Sequence, residues 1–286
     1  MLFKKILVAL DLTEIDDFLL RYVLFLVEKF KTEKVWFVHN IKRYDLPESI
    51  DDLLVEIGKP LEQLITEELQ EKVGSVFSNS SVEPSVLVKY SDSTSHTLRN
   101  IAENLEVDTL VMGKKNALKG TGIQVGKILR STKQSVLLVP DCQVDDMTDL
   151  VVPIDFSEHS KNLLNIAQEI ANTVTANLQP AHVYQLPRWF FPYIAEEKAN
   201  VSLLTAAEKS YQKLMASTNL EGLECVYLHG KDKGTAKTIQ AYAVKQKSNL
   251  IVLGSKGKNR VTGLQLGSVA EKFSQLDWHI PVLFVR

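Results

Sequence analysis

Two cysteines among 286 residues, Cys142 and Cys225, are too few for a disulfide scaffold and lack the spacing of a metal or redox motif. Apolar runs of the ~20 residues that a membrane helix needs are missing as well. The best candidate, 18–30, is broken by Arg21, Glu28 and Lys29. The chain also lacks an excess of charge of either sign. Its 33 Lys and Arg oppose 35 Asp and Glu, a net of −2, so the whole chain does not read as a specific nucleic-acid binder. No Gly-x4-Gly-Lys-Ser/Thr stretch occurs, which argues against a P-loop NTPase. The first apolar run, 6–10, stops at Asp11 and is too short for a signal-peptide core. A cytoplasmic protein with incidental thiols and no membrane association is the expectation.

What the chain does have is an internal repeat. Ile6-Leu7-Val8-Ala9-Leu10-Asp11 corresponds to Leu150-Val151-Val152-Pro153-Ile154-Asp155, and Asp108-Thr109-Leu110-Val111-Met112-Gly113 to Asn249-Leu250-Ile251-Val252-Leu253-Gly254. Two further runs, 35–39 with 178–183 and 135–139 with 281–285, match in the same order, which predicts a tandem duplication. The expected domains are 1–141 and 148–286, joined through the acidic stretch 140–149.

Within each copy, Val-, Ile- and Leu-rich runs alternate with segments of helical period. Near-continuous apolar runs are how strands covered on both faces of a parallel sheet read. The pattern predicts strands near 5–11, 34–40, 84–90, 108–113 and 135–139, then 149–155, 177–184, 223–229, 249–254 and 281–285. The fold class is therefore α/β, two tandem doubly wound, mostly parallel five-stranded sheets of Rossmann-like type. In the second copy Leu163, Ile166, Ala167 and Ile170 form one helix face, with Ser157 as its expected N-cap. Residues 47–81 read as a long helix with one solvated face.

Doubly wound sheets bind ligands beyond the carboxyl ends of their strands. Asp11, Asp155, Gly113 and Gly254 all fall at such ends. After Gly254 comes Gly254-Ser-Lys-Gly257 and, nine residues on, Gly267-Ser268-Val269, a Gly-x2-Gly-x9-Gly-Ser spacing between a strand and a helix. Glycines let backbone N–H groups approach phosphate oxygens with no Cβ in the way. A helix opening at Gly267-Ser268 would add unpaired N–H groups and a favourable dipole. Lys256, Lys258 and Arg260 add positive charge. Residues 147–286 carry 15 Lys and Arg against 12 Asp and Glu, while 1–146 carry 18 against 23, so the second copy is the better host for an anion.

On these residues the chain resembles a tandem universal stress protein over nearly its whole length. The loop pattern is the ATP-binding signature of one branch of that family. The resemblance implies that Pro153, Asp155 and Val183 surround adenine and ribose. It implies that Leu253, Gly254, Lys256 and Gly257 form the first part of the loop, and that Gly267, Ser268 and Val269 hold phosphates. The ligand it implies is ATP or a related adenine nucleotide, with or without Mg²⁺, serving a stress-response regulator. Rival readings are a slow ATPase or nucleotide-transfer enzyme, and a nucleotide-free scaffold or metabolite- or lipid-binding protein. The family often carries a hydroxyl at the place of Ala270, so one phosphate contact is absent here. Single-domain members pair through the last strand, which implies that the two halves pair with each other and leaves room for a homodimer.

The first copy departs from the pattern. Counted from Gly113, the second glycine becomes Asn116 and the closing pair Gly126-Lys127; counted back from the last strand, the pair is Gly120-Thr121. The second count keeps a glycine–hydroxyl pair and is preferred, and either way the cradle is altered. Asp155, Ser157 and His159 supply triad residue types but are too close in sequence to converge, so capping is expected of Ser157 and surface exposure of His159. His39 and His182, at equivalent strand ends, read as structural histidines. Trp189, Phe190, Phe191 and Tyr193 could form a lid, a partner patch or local packing.

Overall fold

The periodicity predicts ten strands, and the described residues form ten, of which Ser85–Tyr90 and Val226–His229 are only partly buried. The computed structural model describes residues 2–42, 58–114, 123–142, 146–186, 193, 195–230, 233–256, 266–277 and 279–286. It divides into two compact units, Met1–Asp145 and Asp146–Arg286.

In the first unit, β1 (Lys5–Leu10), β2 (Lys34–Ile41), β3 (Ser85–Tyr90), β4 (Thr109–Gly113) and β5 (Ser135–Val139) lie in the order β3-β2-β1-β4-β5. Every adjacent pair is parallel. Among the described residues four helices alternate with them: α1 (Ile15–Phe30), α2 (Leu61–Phe77), α3 (Thr94–Asn104) and α4 (Ile123–Ser131). α2 is shorter than the long helix expected over 47–81: residues 58–60 are not helical, and 47–57 lie outside the described residues. It begins after Pro60, whose fixed φ suits a helix start, and buries only Ile65, Leu69, Val73 and Phe77, one residue per turn.

The second unit repeats the plan. β6 (Asp149–Pro153), β7 (Asn177–Tyr184), β8 (Val226–His229), β9 (Leu250–Gly254) and β10 (Val282–Val285) run β8-β7-β6-β9-β10, again all parallel. Its helices are α5 (Glu158–Val174), α6 (Glu196–Ala216), α7 (Gly234–Lys245) and α8 (Ser268–Gln275). α5 buries Ser160, Leu163, Leu164, Ala167, Ile170, Ala171 and Val174. Ile166, expected on that face, is half-buried; the stripe runs through Leu164 instead, because spacings of three and four alternate around it.

The duplication extends to backbone conformation. Left-handed φ values occur at Leu12 and Phe156, at Lys31 and Thr175, and at Glu106 and Lys247, equivalent positions in the two units. None of these residues is glycine. L side chains resist this region, so the fold rather than the local residue imposes it. In both units the chain turns outward on one side of the first strand and then returns to the other side. The switch points are therefore β1/β4 and β6/β9, where a ligand crevice is expected.

One buried charge in the first unit yields a testable pH dependence. Asp16, in the first turn of α1, is fully buried and accepts the backbone N–H groups of Asp11 and Leu12 at 3.3 and 2.9 Å. Burial pushes its carboxyl up to about 6, with Asp11 adding repulsion and Lys72 opposing it. Between the ordinary carboxylate range and about pH 6 the folded state holds a proton that the unfolded state has released. Stability from this group is full at low pH and is lost as pH rises to about 6. Asp16→Asn keeps an acceptor and removes the charge. Its stability relative to the parent is expected to rise by on the order of 2–3 kcal/mol from pH 4 to pH 7. Urea unfolding of both proteins at the two pH values measures this, and parallel curves would show that Asp16 does not titrate there.

Candidate functional site

At the β6/β9 switch point of the second unit lies a cavity of about 470 Å³. Pro153 ends β6 and Asp155 follows it. Val183 lies on β7, Leu253 and Gly254 end β9, and Lys256 follows. Gly267 precedes α8, and Ser268 and Val269 open it. All nine line this one cavity. Gly257, the tenth residue of the sequence reading, lies outside the described residues, as do Lys258, Arg260 and the aromatic residues at 189–191. Tyr193 is described and strongly exposed.

Three helices begin at the cavity wall. α5 contributes Ser157, His159 and Ser160, α7 contributes Thr235 and Ile239, and α8 contributes Ser268, Val269 and Ala270. None of the three has a side-chain cap on its first turn. Uncapped starts leave backbone N–H donors and the positive ends of three helix dipoles directed to one region. Lys256 adds a cationic side chain to the lining, and His159 an imidazole. Such a wall favours an anion, and the apolar Leu163, Val183, Ile239 and Leu253 favour a flat apolar group beside it.

The β6–α5 turn differs from expectation. Ser157 occupies the N-cap position of α5, but its hydroxyl makes no capping bond. Asp155 organises the turn instead. Its Oδ1 accepts the Ser160 hydroxyl at 2.8 Å and the Ser157 N–H at 3.0 Å, and its own N–H donates to Ser160 Oγ at 3.1 Å. A carboxylate two residues ahead of Ser157 captures the amide first, as in an Asx turn. The Ser157 Oγ is left buried and without a hydrogen-bond partner. Phe156, at φ 60°, packs on the His182 ring with centroids 4.1 Å apart and planes tilted by 33°. His182 Nδ1 lies 2.8 Å from Ile154 O, so Nδ1 carries the proton that the carbonyl accepts. His39 repeats this with Leu10 O at 3.0 Å. Both histidines tie the second strand of a unit to the end of its first, the structural role expected. The exposed His159 also lines the cavity, which its sequence position alone did not suggest.

The equivalent place in the first unit is built differently. Ile15 stands where His159 does, and Asp16 where Ser160 does. A Cβ added to Gly113 would lie 3.0 Å from the Ile15 side chain, so Ile15 covers the end of β4. Lys114 is buried at the place of Ser255, and the Thr13 hydroxyl donates to Asp11. Gly126 lies inside α4 rather than at its start, which removes the first of the two loop counts. Asn116, Gly120 and Thr121 are outside the described residues.

The residues missed by sequence reasoning are Ser160, Leu163, Ile239 and Thr235. Thr235 had a usable signal, since it opens the helix after β8 and so stands at another carboxyl-end turn. Both thiols are held in their neutral form by burial, Cys142 pushed up to about 11 and Cys225 to about 12. Among the described residues no group of three or more His, Cys, Asp or Glu could hold a metal ion, and no helix is long and apolar enough to cross a membrane.

The model of the universal stress protein family matches twice, over residues 2–140 and 147–286. A Thermus aquaticus universal stress protein, encoded 3′ of a QAH/OAS sulfhydrylase, is 31% identical over 141 residues, covering 48% of this chain and 97% of its own. Universal stress protein YxiE of Bacillus subtilis is 30% identical over 158 residues, with the same coverages. Among solved structures, a universal stress protein from Archaeoglobus fulgidus covers 99% of this chain with a TM-score of 0.69 at 20% identity, a likeness of fold.

Proposed function

Because the chain belongs to the universal stress protein family in both of its halves, we propose that it is a tandem member whose second unit binds one adenine nucleotide, ATP, as a regulatory ligand in the cytoplasm. One observation carries the reading. Nine of the ten residues that the resemblance marks, from 153 to 269, line a single cavity on which three uncapped helix starts converge. In this reading Pro153, Asp155 and Val183 surround the base and ribose, and Gly254, Lys256, Gly267, Ser268 and Val269 surround the phosphates. Mg²⁺, where it accompanies ATP, would enter with the phosphates, since among the described residues no carboxylate cluster could hold it.

Binding rather than rapid turnover is favoured by the state of Asp155. Its Oδ1 already accepts two hydrogen bonds, from Ser157 and Ser160, and so is poorly placed to take a proton from water. The first unit has Ile15 over Gly113 and a buried carboxyl at Asp16, which leave a phosphate little space and an unfavourable charge.

Titration calorimetry of the full chain with ATP is expected to give one site per chain, with phosphate release far below the ~1 s⁻¹ of dedicated enzymes. Two equivalent sites would overturn the assignment to the second unit. Sustained turnover lost in Asp155→Asn would promote the ATPase alternative.

A further inference from the structure

From the two strand–helix turns compared side by side, we infer that Phe156 is a positioning residue of the second unit's cavity. Its ring supports the Asp155 turn from behind, through His182 and helix α6. This rests on the nucleotide reading and adds to it a residue that acts on the ligand without lining the site. Asp155, Ser157 and His182 line the cavity, and Phe156 does not. The Phe156 ring packs instead on the His182 ring, with centroids 4.1 Å apart, and beside Tyr211 of α6, at 6.4 Å. Both neighbours are themselves fixed. His182 Nδ1 lies 2.8 Å from Ile154 O, and the buried Tyr211 donates its hydroxyl to Leu223 O at 2.8 Å.

The first unit shows why the second needs this support. Leu12 stands at the equivalent place with the same left-handed backbone, φ 59° against 60°. There the two oxygens of the Asp16 carboxylate accept the N–H groups of both Asp11 and Leu12, and the Leu12 side chain is exposed. In the second unit Ser160 replaces Asp16. Its hydroxyl accepts the Asp155 N–H and donates to Asp155 Oδ1, so the bond from Leu12 to Asp16 has no counterpart at Phe156. The anchor is missing at a residue whose side chain resists the left-handed region. Ring packing on His182 and Tyr211 takes over that anchoring. The exchange suits an open anion site, because the carboxylate that secures the first turn would set a further negative charge at the cavity wall. Lining residues locked from behind by packing lose less freedom when a ligand binds.

Calorimetry with AMP and ATP, together with thermal melting, on the full chain as parent, Phe156→Leu and Phe156→Tyr, tests this. Phe156→Leu installs the residue that the first unit carries on the same backbone, so the protein is expected to remain folded. Its affinity should fall about fivefold or more, by the same factor for AMP and ATP, because the proposed reading sets Asp155 against the nucleoside that both share. Phe156→Tyr keeps the ring and should bind both within about twofold of the parent. A lowered melting temperature with unchanged affinities would overturn the inference by making the ring purely structural, and would leave the nucleotide reading standing. A loss confined to ATP would overturn it by placing the effect at the phosphates. An equal loss in Phe156→Tyr would overturn it by showing that the ring contact is not what matters. A parent protein that binds neither nucleotide would refute the nucleotide reading itself, and this inference with it.

Discussion

Gly267→Val is expected to lower ATP affinity by more than about a hundredfold while the protein remains folded. Gly267 has φ −65° and ψ 150°, extended backbone that any residue adopts, so valine meets no conformational barrier there. The main-chain bonds survive as well. Gly267 N–H donates to Ser255 O at 2.7 Å, and Gly267 O accepts from Glu271 N–H at 2.8 Å. Valine is a poor N-cap residue, but glycine supplies no side-chain cap to lose, so the stability cost is held to about 1 kcal/mol. What changes is the cavity wall: a branched side chain is added to a residue that lines it next to the first amides of α8, where the proposed reading puts the phosphates. Circular dichroism melting and calorimetry on the same preparation measure both halves of the expectation. Unchanged affinity in a folded variant would remove Gly267 from the phosphate site.

Phe273→Ala should carry the largest stability cost of the substitutions considered. α8 has only eight residues, and Ala270, Phe273 and Ser274 form its buried side. Phe273 is fully buried and is the one large apolar side chain among them. A helix this short is not stable from its own propensity and holds its place by tertiary packing. Truncation to alanine leaves a cavity under it and is expected to cost about 3–5 kcal/mol in urea unfolding. The same change should weaken ATP binding although Phe273 does not line the cavity, because the start of α8 loses the packing that holds this short helix in place. A Phe273→Leu variant, with most of the volume kept, should lose less stability and retain more of the affinity. Loss of stability with unchanged affinity would show that the α8 start is positioned without this anchor.

The sequence by itself determined the strands, their order of appearance and the repeat. Runs such as Leu250–Gly254 and Val282–Val285 are apolar at nearly every position, which only a parallel sheet covered on both faces tolerates. It also marked Asp155, Gly254, Lys256, Gly267 and Ser268 on the cavity wall, because glycines, strand-end carboxylates and loop charges are readable from spacing, while Pro153, Val183, Leu253 and Val269 came from the family resemblance. The tertiary structure decided what each polar group does there. Ser157 reads as a helix cap because serine before a helix usually caps it, yet Asp155 takes its amide and Ser160 takes the Asp155 carboxylate. Local propensity cannot rank three donors and acceptors competing within six residues. Thr235 and Ile239 join the wall from more than fifty residues away from Asp155 and Val183, where no local pattern links them. The difference between the units lies at the same level. Ile15 in place of His159 and Asp16 in place of Ser160 are two ordinary helix residues in the sequence. Only their packing against Gly113 and the Asp11 turn makes them fillers of a space that the second unit leaves open.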